Sequence, residues 1–318
     1  IDMVAQVNHL PAPGETVGDA SFMQSLGGKG ANQAVAAARL GGSVIFVTSL
    51  GNDMYADILK KNFEKEGITT DYIINDNQHP TGTALIFVAD SGENCIAVAP
   101  GANYSLSPES INHFSKVIDE TEIVVMQAEI PYNTIKSIAL LAQQKGKKVL
   151  FNPAPACLID AELMKAIDIL VVNEVEAAFV SGIKHTGDNL EEIAEALITA
   201  GAQNVVITLG SHGVYMKNAY TSGRLPSYKV NAIDTIAAGD TFCGALAVMC
   251  AQKEIDIEAL KFANAAAAIA VTRSGAQPSI PTLEEVNHFI LKNELPYRST
   301  SKFNEHENLL EPTIHSIR

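Results

Sequence analysis

The run Asp234-Thr-Ile-Ala-Ala-Gly-Asp-Thr-Phe-Cys-Gly-Ala245 sets one carboxylate, Asp240, behind three small residues, Ala237, Ala238 and Gly239, at the start of a helical stretch. Small residues let a ligand approach the backbone closely. A helix N-terminus offers free N–H groups and about half a positive charge. An anion such as a transferring phosphoryl group suits that position, and a carboxylate beside it can take the proton of an attacking hydroxyl. The pattern points to phosphoryl transfer to an alcohol.

Four further segments carry residues of the right types. Gly27-Gly-Lys-Gly-Ala-Asn32 opens an Ala-rich helix reaching about Leu40. It is neither a Walker A loop, since Gly30 follows Lys29, nor a G-x-G-x-x-G turn. Asn32 can bond hydroxyls from the first helical turn; capping and close packing are the plain alternatives. Asn173-Glu-Val-Glu176 follows a strand, at the carboxyl edge where open α/β sheets bind ligands. Glu176 can hold a water-clad Mg²⁺ there, and the same pattern also reads as a helix cap with an acidic first turn. Thr208-Leu-Gly-Ser-His-Gly213 offers glycines at another strand end. Leu209 stands where a serine-hydrolase elbow needs its first Gly, so a turn for nucleotide fits better, with His212 a turn residue. Glu129 ends a strand just before Pro131, placed either to accept from sugar hydroxyls or to cap the Pro-started helix.

These segments need a frame, and the chain alternates Val- and Ile-rich runs with helical patterns. Strands are expected over 44–48, 123–126, 148–151, 167–172 and 204–208, and helices over 55–66, 131–144, 158–166, 174–180 and 190–200. Buried strands separated by helices predict βαβ units, a mainly parallel sheet and helices on both faces. Two regions, 15–24 and 83–99, alternate like half-exposed strands and predict a small antiparallel sheet over a cleft or a partner subunit. Long helices follow over 240–252, 257–272 and 283–292. The second is so rich in alanine (263, 265–268, 270) that something flat packs on it, an adenine ring or a neighbouring helix. One main domain over 1–292 is expected, with lid strands from about 1–24 and 83–99, then a loosely attached polar tail over 293–318. Doubly wound sheets open with a strand leading to the active-site edge, so the fold's first strand is expected to be missing ahead of residue 1.

With 318 residues, 47% hydrophobic and 18% charged, the chain can fill a large core. A formal charge of −14 argues against a nucleic-acid surface. No apolar stretch, the longest being about 262–272, is long enough to span a bilayer, and no leader opens the sequence. Cys95, Cys157, Cys243 and Cys250 show no C-x-x-C spacing and read as buried free thiols of a reducing, cytoplasmic protein.

Taken in order, P-G-E-T at 13–16, G-G-K-G-A-N-Q-A-V-A-A at 27–37, N-P-A-P-A at 152–156, N-E-x-E at 173–176, T-L-G-S at 208–211, D-T-I-A-A-G-D-T-F at 234–242 and A-A-A-A-I-A-V-T-R-x-G-A-Q-P-S at 265–279 closely resemble the PfkB carbohydrate kinase family over about 2–290. The resemblance implies a three-layer α/β sandwich with a β-sheet lid that also forms a homodimer interface. It implies ATP-dependent phosphorylation of D-ribose at O5, with a second pentose, deoxyribose, a nucleoside or a non-catalytic relative as alternatives. Asp240 is then the base and 237–239 the anion hole. Asp2, Gly28, Lys29, Asn32 and Glu129 fall on the sugar side. Asn173, Thr208, Gly210, Ser211, Gly213, Gly239 and Asn264 fall on the ATP side, with Glu176 linked to Mg²⁺. Asp234, Ile236, Ala270, Arg273, Gly275 and Ser279 match a K⁺ loop, an oxygen cage of backbone carbonyls, one carboxylate and one hydroxyl. Two departures stand out: the Asn that family members carry two residues before Asp2 has no counterpart, and His212 replaces an Arg of some relatives.

Overall fold

Successive residues of the central strands point into two different cores. Leu150, Ile169, Val171 and Val206 enter one; Val149, Phe151, Leu170, Val172, Val205 and Ile207 enter the other. A strand apolar on both faces must be covered on both, and each such side chain fully buried contributes about 1.5–3 kcal/mol. The computed structural model, which describes residues 1–293, meets that demand with three layers.

The elements in chain order are β1 (Asp2–Val7), β2 (Ser21–Ser25), α1 (Lys29–Arg39), β3 (Thr48–Gly51), α2 (Met54–Lys65), β4 (Ile73–Asp76), β5 (Thr83–Ala89), β6 (Asn94–Ala99), α3 (Ile111–Glu120), β7 (Ile123–Gln127), α4 (Tyr132–Gln144), β8 (Lys148–Asn152), α5 (Ala161–Lys165), β9 (Ile169–Asn173), α6 (Glu174–Ser181), α7 (Leu190–Ala200), β10 (Asn204–Thr208), β11 (Val214–Asn218), β12 (Ser222–Leu225), α8 (Ala238–Gln252), α9 (Ile257–Ala270) and α10 (Leu283–Lys292). The six-stranded sheet runs β12-β11-β10-β9-β8-β7. β7 to β10 are parallel, and β11 and β12 add an antiparallel edge. Side chains of α8, α9 and α10 fill one core and those of α4, α5 and α7 the other. A third cluster joins α1, α2 and Leu50 of β3. The alanines of α9 pack in the same core as α8, so the neighbouring helix is what lies against them.

A separate four-stranded sheet, β2-β1-β5-β6, forms the expected lid. Its first strand falls within the expected 1–24: Asp2–Val7 pairs antiparallel with β2 and parallel with β5. The lid segment expected from 15 begins at Ser21, because Glu15 closes a turn on the Ala12 carbonyl and amide. The strand expected over 44–48 lies at Thr48–Gly51, with only an isolated Ile45–Thr69 bridge before it. The helix expected from 158 starts at Ala161, where Asp160 accepts the amides of Glu162 and Leu163. Cys95 corrects the expectation of buried thiols: it lies exposed on β6, while Cys243 and Cys250 are buried.

β7 is an edge of its sheet, and β3 pairs only with β4. A cavity of ≈ 520 Å³ is lined by residues of both β7 and β3, among them Thr48, Leu50, Val125 and Gln127. The expected tail falls, from 294 on, outside the described residues.

Candidate active site

The site grows from the crossing of α1 and α8. A Cβ on Gly244 of α8 would meet Ala36 Cβ at 2.6 Å and the Gln33 carbonyl at 2.7 Å, so glycine lets the helices touch. That contact sets Asn32 and Gln33 of α1 over the first turn of α8. Asn32 Nδ2 donates to Asp240 Oδ2 at 2.9 Å, and Gln33 Nε2 donates to Oδ1 at 3.1 Å. Asp240 is 7% exposed. Asn32 Oδ1 is buried and has no hydrogen-bond partner; a buried polar atom of that kind calls for one. Ala237 precedes α8 in the left-handed region (φ 58°), strained for a residue with a Cβ. The Ala238 amide leans to the Thr235 carbonyl at 3.3 Å, and Gly239 is exposed in the first turn.

The residues expected on the sugar side gather around this point. The Asp2 carboxylate lies where a Cβ of Gly27 would fall. Gly28, at φ 91°, turns the chain into α1, and the first amide of that helix, from Lys29, donates to Glu129 Oε2 at 2.8 Å. Glu129 thus caps α1 from across the molecule, whereas its own helix α4 starts from Pro131. Burial raises the carboxyls of Asp2, Glu129 and Glu176 above their ordinary values. The charge of Asp240 adds to each rise and that of Lys29 opposes it, which places both charges among the three acids. Asp2, Lys29, Glu129, Glu176 and Asp240 are therefore near enough for their charges to act on one another.

On the other side, Asn173 and Thr208 pair in register at the carboxyl ends of β9 and β10. Asn173 and Glu176 form a capping box: Asn173 Oδ1 accepts the Glu176 amide at 2.8 Å, and Glu176 Oε2 accepts the Asn173 amide at 2.9 Å. Gly210 and Ser211 are exposed in a single 3₁₀ turn with His212. Gly213 (φ 95°) lies so close to the Leu225 carbonyl that no side chain fits. Asn264, buried on α9, donates to the adjoining Pro226 carbonyl at 2.8 Å, which joins it to this group.

A third cluster flanks the start of α8. Asp234 accepts the Ile236 amide at 2.9 Å and the Gly275 amide at 2.8 Å, tying two loops together. Ser279 is fully buried and donates to Ala276 O at 2.7 Å. Ala270 ends α9, and Arg273 turns outward to Glu285 in an ion pair.

Residues 1–283 match the profile described as pfkB family carbohydrate kinase. This chain belongs to that family. The ribokinase of Haemophilus influenzae is 40% identical over 290 residues, 91% of this chain and 95% of its own length. The deoxyribokinase of Salmonella typhi is 35% identical over 297 residues, 92% and 97% of the two. Among solved structures, the ribokinase of Thermotoga maritima superposes with TM-score 0.81 at 41% identity, covering 92% of this chain and 96% of that one. Arabidopsis thaliana ribokinase, solved with ribose and ATP, gives TM-score 0.85 at 30% identity, covering 91% and 95%.

In this member of the pfkB family, motif reading missed three residues that touch the site indirectly. Gln33, Gln127 and Asn152 form an amide chain behind Asp240. The available signal was a glutamine buried in an alanine-rich helix, which must find polar partners. Among the described residues, no helix is long and apolar enough to cross a membrane.

Proposed function

We propose that the chain transfers the γ-phosphoryl group of ATP to O5 of D-ribose, giving ribose 5-phosphate and ADP. Family membership and relatives at 40% identity support the coarse statement, an ATP-using carbohydrate kinase of the ribokinase kind. One observation carries the finer reading. The Asn32–Asp240 bond joins segments 208 residues apart, and the buried, unpartnered Asn32 Oδ1 beside it suits a sugar hydroxyl.

Asp240 holds the attacking hydroxyl and accepts its proton as the new P–O bond forms and ADP leaves in line. Asp2 and Glu129 accept from the remaining hydroxyls. The exposed Gly239 amide, with the α8 dipole behind it, faces the charge that develops on the phosphoryl oxygens. The turn 210–213, Thr208, Asn173 and Asn264 form the nucleotide side. Lys29 offsets the acids of the pocket and balances the incoming phosphates.

Mg²⁺ would be held by Glu176 through water together with the phosphates, where it neutralises phosphate charge; a carboxyl raised by burial is one a cation holds ionised. K⁺ fits the third cluster in its carbonyls and the Ser279 hydroxyl, and Asp234 keeps the two loops together there. Bound there, it would stiffen the segment entering α8. The kinase domain spans 1–292, with the lid supplied by β1, β2, β5 and β6. Phe22 (67% exposed), Met23 (60%) and Val98 (62%) leave apolar surface on the lid, and sheet surface of that kind suits a second copy of the chain. Light scattering that gives a monomer at micromolar concentration removes the dimer.

The assay is coupled ADP release with ribose, 2-deoxyribose and nucleosides, titrated against MgCl₂ and KCl. Ribose is expected to give the highest kcat/KM. A higher value for 2-deoxyribose, the reading favoured by the 35% identical deoxyribokinase, replaces the substrate. No turnover with any sugar removes the kinase reading in favour of a ligand-binding relative.

A further inference from the structure

We infer that Gln33 is a positioning residue for Asp240, with Asn152 and Gln127 fixing the direction of its amide. The inference rests on Asp240 being the proton acceptor proposed above, and hydrogen-bond polarity carries it. The chain starts at the Val171 carbonyl on β9, which can only accept. It takes Asn152 Nδ2–H at 2.9 Å, which turns Asn152 Oδ1 toward Gln33. An amide oxygen only accepts, so Gln33 must present Nε2 to it, at 3.2 Å. The second hydrogen of the same nitrogen goes to Asp240 Oδ1 at 3.1 Å. Gln33 Oε1 then faces away and receives Gln127 Nε2–H at 2.6 Å. Gly30 leaves the room for this, since a Cβ there would lie 2.9 Å from Gln127 Oε1.

A flip of the Gln33 amide would set oxygen against oxygen at Asn152 and at Asp240 and nitrogen against nitrogen at Gln127. The direction is therefore set by a backbone carbonyl two side chains away from the carboxylate. Gln33 is 2% exposed, and its bonds to Asn152 and Asp240 are buried, which strengthens them. With Asn32 on Oδ2 and Gln33 on Oδ1, the carboxylate plane is held at both oxygens. Only its remaining lone pairs are open to an incoming hydroxyl.

The test uses Gln33→Met, which keeps length and removes the donors, in the full 318-residue chain. Crystal structures of parent and variant report the direction of the Asp240 carboxylate, alongside ribose kinetics. We expect kcat to fall about 10-fold while ribose KM stays within about threefold, with the carboxylate turned from its parent direction. Gln33→Glu keeps the shape but sets acceptors against Asp240 and Asn152, so it should lower kcat at least as far. If Gln33→Met does not fold, Gln127→Met should give a smaller fall in kcat with ribose KM again held. A parent-like kcat and carboxylate direction, in Gln33→Met or in that substitute, overturns the inference. Full turnover in Asp240→Asn removes the base reading instead, and the carboxylate direction in Gln33→Met then still reports whether Gln33 holds it.

Discussion

The two ends of the cleft are built in opposite ways. At the proposed sugar end, bonds join residues distant in sequence: Asn32 with Asp240 across 208 positions, Lys29 with Glu129 across 100. The groups there are buried or half-buried side chains, and burial works against the charges of Asp2 and Glu129. At the proposed nucleotide end the bonds span shorter stretches, three positions in the Asn173–Glu176 box and 38 from Asn264 to Pro226, and the exposed turn at Gly210 and Ser211 offers backbone. The sugar end exists only when the whole fold does, whereas the nucleotide end is laid down by a few residues at each strand terminus. Damage to the first should appear in turnover and sugar affinity, and damage to the second in ATP affinity and local stability.

The largest expected effect tests that contrast at the point where both ends meet. Asp240→Asn should lower kcat roughly 10²- to 10⁴-fold with a smaller change in ribose KM, read by ADP release. Near-normal turnover takes Asp240 out of the mechanism. Next, Gly27→Ala places a methyl group on the Asp2 carboxylate. Ribose KM should rise about 10-fold, or about 1.4 kcal/mol, with ATP KM unmoved; equal changes in both would erase the distinction between the ends. Asn173→Ala removes a cap and should cost about 1 kcal/mol in urea unfolding, raising ATP KM while ribose KM holds.

The smallest effect is a pH dependence. Burial raises the Glu129 carboxyl above 4.5. Its stability contribution is fully present below that ordinary value and is lost as pH rises through the folded value. Glu129→Gln does not titrate, so its thermal midpoint relative to the parent should climb by about 2 °C from pH 4.5 to 7. A difference that stays flat with pH would show that burial is not what governs this carboxyl.

The same contrast explains what the sequence disclosed. Val- and Ile-rich runs located β7 to β10 within two residues, because a strand buried on both faces cannot be polar. The helix starts at Tyr132 and Glu174 were readable from Pro131 and Asn173, whose signals are local. Glu129 could be placed at a strand end, but not its bond to the Lys29 amide, which depends on how α1 crosses the sheet. Gln33 stayed hidden for the same reason: its partners, Gln127, Asn152 and Asp240, come from three other elements. Lid strands were expected within 1–24, but the pairing of β1 with both β2 and β5 is a property of the assembled lid. The β11–β12 hairpin shows too little alternation, since Val214, Tyr215 and Met216 are all buried.

The reciprocal bonds of Asn173 and Glu176 tie helix fraying to occupancy. A ligand that draws the Glu176 carboxylate toward itself takes it from the Asn173 amide. Linkage makes the converse hold with equal strength: whatever tightens the first turn of α6 weakens that ligand by the same factor. Deuterium uptake at one backbone nitrogen then becomes a gauge of how full the far end of the cleft is.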